Sequence, residues 1–125
     1  MKRRESQMLW NDYTVNLMQG GLDALALQQQ MILQNLSNAD TPGYKAKSVS
    51  FENILANQRG AKAGSYTIRA TVYEENDPMR PDENTVDADK ESILLTQNYI
   101  QQMAMYNKIS ESFSNMRYVF NQFTK

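Results

Sequence analysis

The stretch Asn35-Leu36-Ser37-Asn38-Ala39-Asp40-Thr41-Pro42-Gly43-Tyr44 divides the chain into two parts of different character. Before it, apolar residues recur at helical spacing; after it, charged residues become frequent. Pro42 suits position i+1 of a type II turn, and Gly43 suits the next position because φ is positive there. The sequence therefore predicts that a turn at residues 41–44 ends an N-terminal helix.

Two long stretches, one near each end of the chain, have the apolar spacing of an amphipathic helix. The first stripe consists of Val15, Met18, Leu22, Leu25, Ile32, Leu36 and Ala39. The second consists of Leu95, Tyr99, Tyr106, Ile109, Phe113, Met116, Phe120 and Phe123. Gln29 and Gln102 are the polar interruptions of the two stripes, and Gly20-Gly21 is expected to weaken or kink the first helix. Asp87 is the predicted N-cap of the second helix.

These patterns predict a mainly α fold in which the N- and C-terminal helices form an antiparallel, coiled-coil-like pair. Residues 1–44 form the first helix and its turn, 45–86 a polar connecting segment, and 87–125 the second helix. Within the connecting segment, the spacing of Phe51, Ile54 and Leu55 predicts a short helix that stops near Gly60. Alternating apolar residues between 64 and 74 predict a strand.

The composition excludes several classes of function. The chain has no histidine and no cysteine, which removes the commonest general base, the commonest metal ligand and all thiolate chemistry. Its formal charge of −1 gives no basic surface for nucleic acid or anionic lipid. The adjacent Glu74-Glu75 and the acidic residues around Asp87 are better explained as solvated and helix-capping charges. We therefore predict no catalytic residue, no metal ligand, no cofactor, and no nucleic-acid or direct lipid partner.

Charge is distributed unevenly along the chain. The stretch 45–91 holds 16 of the 27 charged residues, while both predicted helices are rich in Gln and Asn. A water-exposed helix face normally carries Lys, Glu and Arg, so the uncharged backs of these helices favour coverage by neighbouring copies. Four glutamines are predicted to lie on those covered backs: Gln28, Gln29, Gln97 and Gln101.

The stretch 35–47 closely resembles the N-terminal signature of bacterial flagellar rod and hook proteins. The matching residues are Asn35, Leu36, Asn38, Ala39, Asp40, Thr41, Pro42, Gly43 and Tyr44. The continuation 45–51 and the later Asn84-Thr85-Val86-Asp87 resemble the proximal rod members of that family. Ser37, Glu83, Ala88 and Ser92 depart from the usual pattern. The short length also fits the proximal members, because hook and distal rod proteins carry large inserted domains.

The resemblance implies a structural subunit of the rod in the flagellar basal body, outside the cytoplasm. Such proteins are exported without signal cleavage, and here Glu5, Gln7 and Asp12 stand where a signal peptide would be apolar. The family assembles helically, transmits torque, and lines an axial export channel with its terminal helices. Implied partners are other copies, sister rod proteins, and components of the membrane ring and export gate.

The apolar stripes are the predicted assembly interface. It comprises Leu22, Leu25, Ile32, Leu36, Tyr99, Tyr106, Ile109, Phe113, Met116, Phe120 and Phe123. A self-contained helical hairpin explains the same stripes without any partner, and a soluble helical adaptor or export chaperone remains the alternative function. An enzyme such as a muramidase would need a recessed glutamate that the sequence does not locate.

Overall fold

The computed structural model describes residues 2–55, 66–76 and 80–124. Its elements, in chain order, are α1 (Lys2–Ser37), β1 (Lys47–Leu55), β2 (Tyr66–Glu74) and α2 (Ala88–Phe123). The predicted mainly α fold, with long terminal helices and a short β segment between them, is confirmed. No helix in this described part of the chain is both long and apolar enough to cross a membrane.

The two helices pack against each other in antiparallel orientation. Near the start of α2, the Asn98 side chain reaches the backbone of Leu25 on α1. Eleven residues further along α2, Ile109 lines a small cavity together with Leu22, which lies earlier on α1. The predicted antiparallel pair is therefore confirmed.

The inward face of α2 differs from the predicted apolar stripe. Its buried or half-buried positions alternate by three and four residues and include Glu91, Leu95, Asn98, Gln102, Met105, Ile109, Ser112 and Met116. All five predicted aromatics, Tyr99, Tyr106, Phe113, Phe120 and Phe123, are instead exposed. The two series are offset by one residue at every second position. The smaller side chains face inward because the helices approach closely.

Gly21 marks that close approach. It is buried, and a Cβ at this position would lie 3.0 Å from Cε of Met105 and 3.8 Å from Cδ1 of Ile68. α1 continues through Gly20 and Gly21 without a break. The glycines therefore let α2 and β2 pack against α1 rather than ending the helix.

The sheet is a single antiparallel pair. Lys47 pairs with Glu74 at one end and Leu55 with Tyr66 at the other. The predicted strand is confirmed from Tyr66 onward, while Gly64 and Ser65 lie outside the described residues. The predicted short helix is wrong over Phe51–Leu55, which belong to β1; residues 56–60 lie outside the described part. Three apolar residues within five positions are too few to decide between helix and strand, and the nine-residue pairing with β2 selects the strand.

Both helix ends at the sheet have recognisable caps. α1 ends at Ser37, earlier than the turn at 41–44, and further turns lie between them. Gly43 has φ 71°, as predicted, and the amide of Tyr44 donates to the carbonyl of Thr41 at 3.3 Å. The predicted N-cap of α2 is confirmed, because the Asp87 side chain accepts from the amides of Asp89 and Lys90.

Candidate functional site

The end of the hairpin that contains the sheet, hereafter the head (residues 35–55, 66–76 and 80–94), is held by buried amides. Asn84 is fully buried and donates through Nδ2 to the carbonyls of Asn38 (3.0 Å), Ala39 (3.0 Å) and Thr41 (2.8 Å). Its Oδ1 accepts from the amide of Val86 at 2.7 Å. These three carbonyls belong to the turns that follow α1, so this one side chain satisfies the backbone of the segment that leads from α1 to Gly43.

Asn35 binds the backbone at the start of β1 in a similar way. Its side chain, also fully buried, donates to the carbonyl of Lys47 at 2.8 Å and accepts from the Lys47 amide at 2.9 Å. The Tyr44 hydroxyl donates to the same Oδ1 at 3.5 Å. Burial, followed by the charges of Glu74 and Glu91, raises the pKa of Tyr44, so this hydroxyl stays a donor at neutral pH. Asn35 thus fixes the start of β1 against the end of α1.

The segment 80–86 runs alongside the turn at 41–44. The amide of Gly43 donates to the carbonyl of Asp82 at 2.9 Å, and the amide of Ala46 donates to Oγ1 of Thr85 at 2.7 Å. The Arg80 guanidinium donates to the carbonyl of Ala39 and pairs with Asp82 at 3.3 Å. The two stretches that carry the sequence resemblance, 35–47 and 84–87, therefore pack on each other.

Glu91 is the one buried carboxyl group in the described part of the chain. It is 2% exposed, and its Oε2 has no hydrogen-bond partner among the described residues. Burial raises the pKa of Glu91; Glu75 and Asp87 also raise it, while the Asn35 amide and Lys90 lower it. From the sequence, Glu91 is predicted only to place negative charge at the start of α2. Nothing in the sequence indicates that its side chain is buried, apart from its position at the start of the inward face.

A ladder of amides joins the two helices below the head. Nδ2 of Asn98 donates to the Leu25 carbonyl at 3.0 Å and to Oε1 of Gln28 at 2.8 Å. Nε2 of Gln102 donates to Oε1 of Gln29 at 2.9 Å and to Oδ1 of Asn98 at 2.8 Å. The polar interruptions of the two stripes therefore bond to each other. Any shift of one helix along the other would break these hydrogen bonds, so they favour the observed register.

This ladder corrects the interpretation of the glutamines. Gln28 and Gln29 are half-buried between the helices of the same chain, so they do not lie on an outer back. The lack of charge predicts helix backs that other copies cover, yet the same lack of charge lets amides pair inside the interface between the two helices of one chain. Gln97 and Gln101 are exposed, in agreement with their predicted position on the back of α2.

The predicted interface residues fall into two groups. Leu25 and Ile32 are buried, and Leu22, Leu36, Ile109 and Met116 are half-buried, all within the chain's own packing. The exposed group consists of Tyr99, Tyr106, Phe113, Phe120 and Phe123, which are 53–74% exposed. Four of these, Tyr99, Tyr106, Phe113 and Phe120, recur at intervals of seven residues and form what we call the aromatic row. Ile93 and Ile100, each 60% exposed, add to the apolar surface of α2.

This arrangement is suited to binding other proteins. The aromatic row exposes four large apolar side chains along one helix, and soluble monomers rarely expose large apolar surfaces of this kind to solvent. In the described residues, no group of three or more acidic side chains is placed to hold a metal ion. The head supplies rigidity, and the outer surface of α2 supplies apolar contact area.

Comparison with known proteins agrees with these features. The model of the flagella basal body rod protein family matches residues 16–45, which include the end of α1 and the turn. The flagellar basal body rod protein FlgB of Bacillus subtilis (strain 168) is 30% identical over 124 residues, covering 85% of this chain and 92% of that protein. The FlgB proteins of Escherichia coli (strain K12) and Buchnera aphidicola are 28% and 27% identical, each over 91% of their length and 84% and 83% of this chain. The chain belongs to the flagellar basal body rod protein family.

Proposed function

We propose that this chain is a structural subunit of the proximal rod of the bacterial flagellar basal body, and that it joins other copies and sister rod proteins through the aromatic row. The observation that carries this proposal is the row itself, whose four members are 53–66% exposed. The family and the names of the relatives support the location. The proposal includes export without a cleaved signal peptide to a site outside the cytoplasm.

The energetics favour coverage of this row in an assembly. Burying one large apolar side chain contributes about 1.5–3 kcal/mol, so four aromatics outweigh the ordering of their few rotatable bonds. In a helical assembly every subunit makes the same contact, so the contact is repeated along the axis. A rigid hairpin that presents the row on a long helix is suited to transmitting torque, because the helix distributes load over many contacts.

The scarcity of charge on the helices supports the same proposal. From Ser92 to Thr124 the only charged residues are Lys108, Glu111 and Arg117. On α1, Asp23 is the one charged residue between 15 and 37, and the exposed positions Ala26, Gln30 and Leu33 carry no charge. Such faces pack against neighbours with little desolvation of ions, and along an export channel they offer few charges to a passing chain.

A charge placed in the aromatic row tests the proposal. In a flagellated host without its own copy of the gene, Tyr106→Glu is expected to abolish swimming, because each subunit contact would bury a carboxylate. Asn107→Glu is the matched control, since it adds the same charge one residue further along α2 without removing an aromatic side chain of the row. Both variants must be expressed and helical by circular dichroism.

The outcomes distinguish a rod subunit from a soluble helical adaptor or export chaperone. Full swimming with Tyr106→Glu would contradict assembly through the row. A sizing column provides the second readout, because an export chaperone is a stable monomer or dimer at every concentration. A rod subunit is expected to associate further as its concentration rises, and Tyr106→Glu is expected to reduce that association.

A further inference from the structure

An apolar cavity lies between the two helices, next to the aromatic row. Its walls are formed mainly by Val15, Met18 and Leu22 of α1 and by Ile109 and Phe113 of α2, and its volume is about 100 Å³. None of the described residues that line it is charged. Phe113 is also a member of the aromatic row, so a partner that covers the row at this point also covers the space, which we call the interhelix cavity.

The size and the walls of the interhelix cavity limit what can occupy it. An apolar cavity of about 150 Å³ can hold benzene, so a cavity of about 100 Å³ is small for an aromatic ring and suits a branched aliphatic side chain. The atoms that line an empty apolar cavity lack contact partners on one side, and a guest supplies those contacts. The expected guest is therefore the side chain of an isoleucine, leucine or valine.

Ile100 is such a side chain, and it cannot reach the cavity of its own chain. It is 60% exposed and lies two residues from both Asn98 and Gln102, whose side chains bond to α1. At 3.6 residues per turn it therefore points away from α1, on what we call the outer face of α2. Residues 92–107, with Ile100 near their middle, contain no charge, so a contact centred there desolvates no ion of its own helix.

The aromatic row by itself offers too little area for a stable interface. Its four rings are 53–66% exposed. With roughly 200 Å² for each ring, the row offers about 500 Å². A stable interface buries about 800 Å² on each partner. Insertion of an aliphatic side chain into the neighbouring cavity adds apolar area at the same place.

The two surfaces lie on different sides of the hairpin, so the contact between them is heterologous. One copy offers the outer face of its α2 and the other offers its interhelix cavity, and such a contact repeats from copy to copy into a filament. Copies in a helical assembly point in the same direction along its axis, so neighbouring α2 helices run parallel. Placing Ile100 level with Ile109 shifts the second copy by about 14 Å along the helix.

We infer that the interhelix cavity of one copy binds the side chain of Ile100 from the parallel α2 of a second copy. This contact rests on the proposed function, since it names the surface that a neighbouring copy presents to the aromatic row. Tyr106 and Phe120, which precede and follow Phe113 by seven residues, then lie on either side of the inserted side chain.

Cysteine cross-linking tests the contact directly, because the full-length chain has no cysteine of its own. Gln19→Cys lies at the exposed rim of the interhelix cavity, and Thr96→Cys lies about one helical turn before Ile100 on the outer face. Mixing the two purified single variants, one of them tagged, with a short bis-maleimide is expected to give covalent heterodimers. Asn107→Cys, on the same face about 16 Å further along α2, replaces Thr96→Cys in the matched control and is expected to give few.

Removing the guest side chain identifies it. Ile100→Ala changes an exposed position, so the monomer stays folded, and it is expected to lower the heterodimer yield about tenfold. Ile93→Ala is the matched control, because Ile93 is also 60% exposed and lies on the same face seven residues earlier. It is expected to change the yield by about twofold or less.

Filling the cavity from within the chain tests the other side of the contact. Ser112 is half-buried and lines the interhelix cavity, so Ser112→Leu places an aliphatic side chain where the guest would bind. The heterodimer yield is expected to fall as it does with Ile100→Ala. The urea midpoint of the monomer is expected to stay the same or rise, because the cavity is filled.

Any of four results would overturn this contact: equal cross-linking of the Asn107→Cys control, an unchanged yield with Ile100→Ala, equal losses with Ile93→Ala and Ile100→Ala, or an unchanged yield with folded Ser112→Leu. These results do not depend on motility. If Tyr106→Glu abolishes swimming but Ile100→Ala leaves the yield unchanged, the rod role stands and this contact is lost. Conversely, cross-linking that requires Ile100, together with full swimming by Tyr106→Glu, would support this contact and contradict the aromatic row.

Discussion

Replacing Asn84 tests whether one buried amide holds the head together. Asn84→Asp keeps the size of the side chain but replaces the two amide N–H groups, which the carbonyls of Asn38, Ala39 and Thr41 share, with an oxygen that cannot donate. Each lost bond costs about 1 kcal/mol net, and the buried carbonyls left without donors add to this. We therefore expect the free energy of unfolding to fall by about 3 kcal/mol or more at neutral pH.

Urea unfolding followed by far-ultraviolet circular dichroism measures this change. With a slope near 1.5 kcal/mol per molar urea, a loss of about 3 kcal/mol moves the midpoint down by about 2 M. Asn107→Asp, on an exposed position of α2, is the matched control and is expected to shift the midpoint very little. If Asn84→Asp shifts the midpoint no more than Asn107→Asp does, the buried amide does not stabilise the head and the reasoning is wrong.

Three further predictions concern single side chains. Since the pKa of Glu91 is raised by burial, the folded chain binds a proton more tightly than the unfolded chain, so stability falls as pH rises from the ordinary value of 4.5 through the raised one. Glu91→Gln should remove this loss and raise the urea midpoint at neutral pH. Gly43→Val should lower stability by about 1–2 kcal/mol, because φ is positive there although its Cβ would meet nothing within 4 Å; Gly43→Asn should lose less, and rod assembly should suffer more than the monomer. Gln102→Leu should cost about 1–2 kcal/mol by leaving Gln29 unpaired, and adding Gln29→Leu should recover part of the loss.

Each of these has a clear contrary result. A difference between the wild-type and Glu91→Gln midpoints that stays constant with pH would show that this carboxyl group is not perturbed. Equal midpoints for Gly43→Val and Gly43→Asn would remove the conformational argument, and normal rods with Gly43→Val would remove its role in assembly. Purely additive losses at Gln29 and Gln102 in a double-mutant cycle would mean that the two amides do not act as a pair.

Features that depend on neighbouring residues could be predicted from the sequence. The N-cap at Asp87, the positive φ at Gly43 and the strand ending at Glu74 each follow from residues within a few positions of one another. The short helix near Phe51 was wrong because its alternative, pairing with β2, involves residues more than ten positions away. Local spacing cannot weigh a distant partner strand.

The inward face of α2 shows the same limit more sharply. Two sets of residues on α2, the predicted stripe and the observed inward face, fit helical spacing equally well. Both sets contain Leu95, Gln102, Ile109 and Met116. They differ, for example, in whether Tyr106 or Met105 points inward, and spacing alone does not decide between them. In the structure Met105 is the residue that meets Gly21, and this contact depends on how two distant segments pack. The hydrogen bonds of Asn84 to the turns after α1 could likewise not be predicted, although the sequence resemblance includes both stretches.

The amide ladder between the helices also bears on the order in which the chain folds. Contacts in the head close loops as short as the 12 residues between Asn35 and Lys47, whereas Asn98 and Leu25 are separated by 73. Once the head has formed, each further turn of α2 that docks on α1 encloses only a few more residues, and the entropy of closure grows slowly with loop length. Folding is then expected to nucleate at the sheet and proceed outward, and unfolding to begin near Met116 and advance toward Glu91. The rungs at Gln102 and Asn98 would act as stops along that path, so an amide-to-leucine change there should alter the rate of opening as well as its equilibrium.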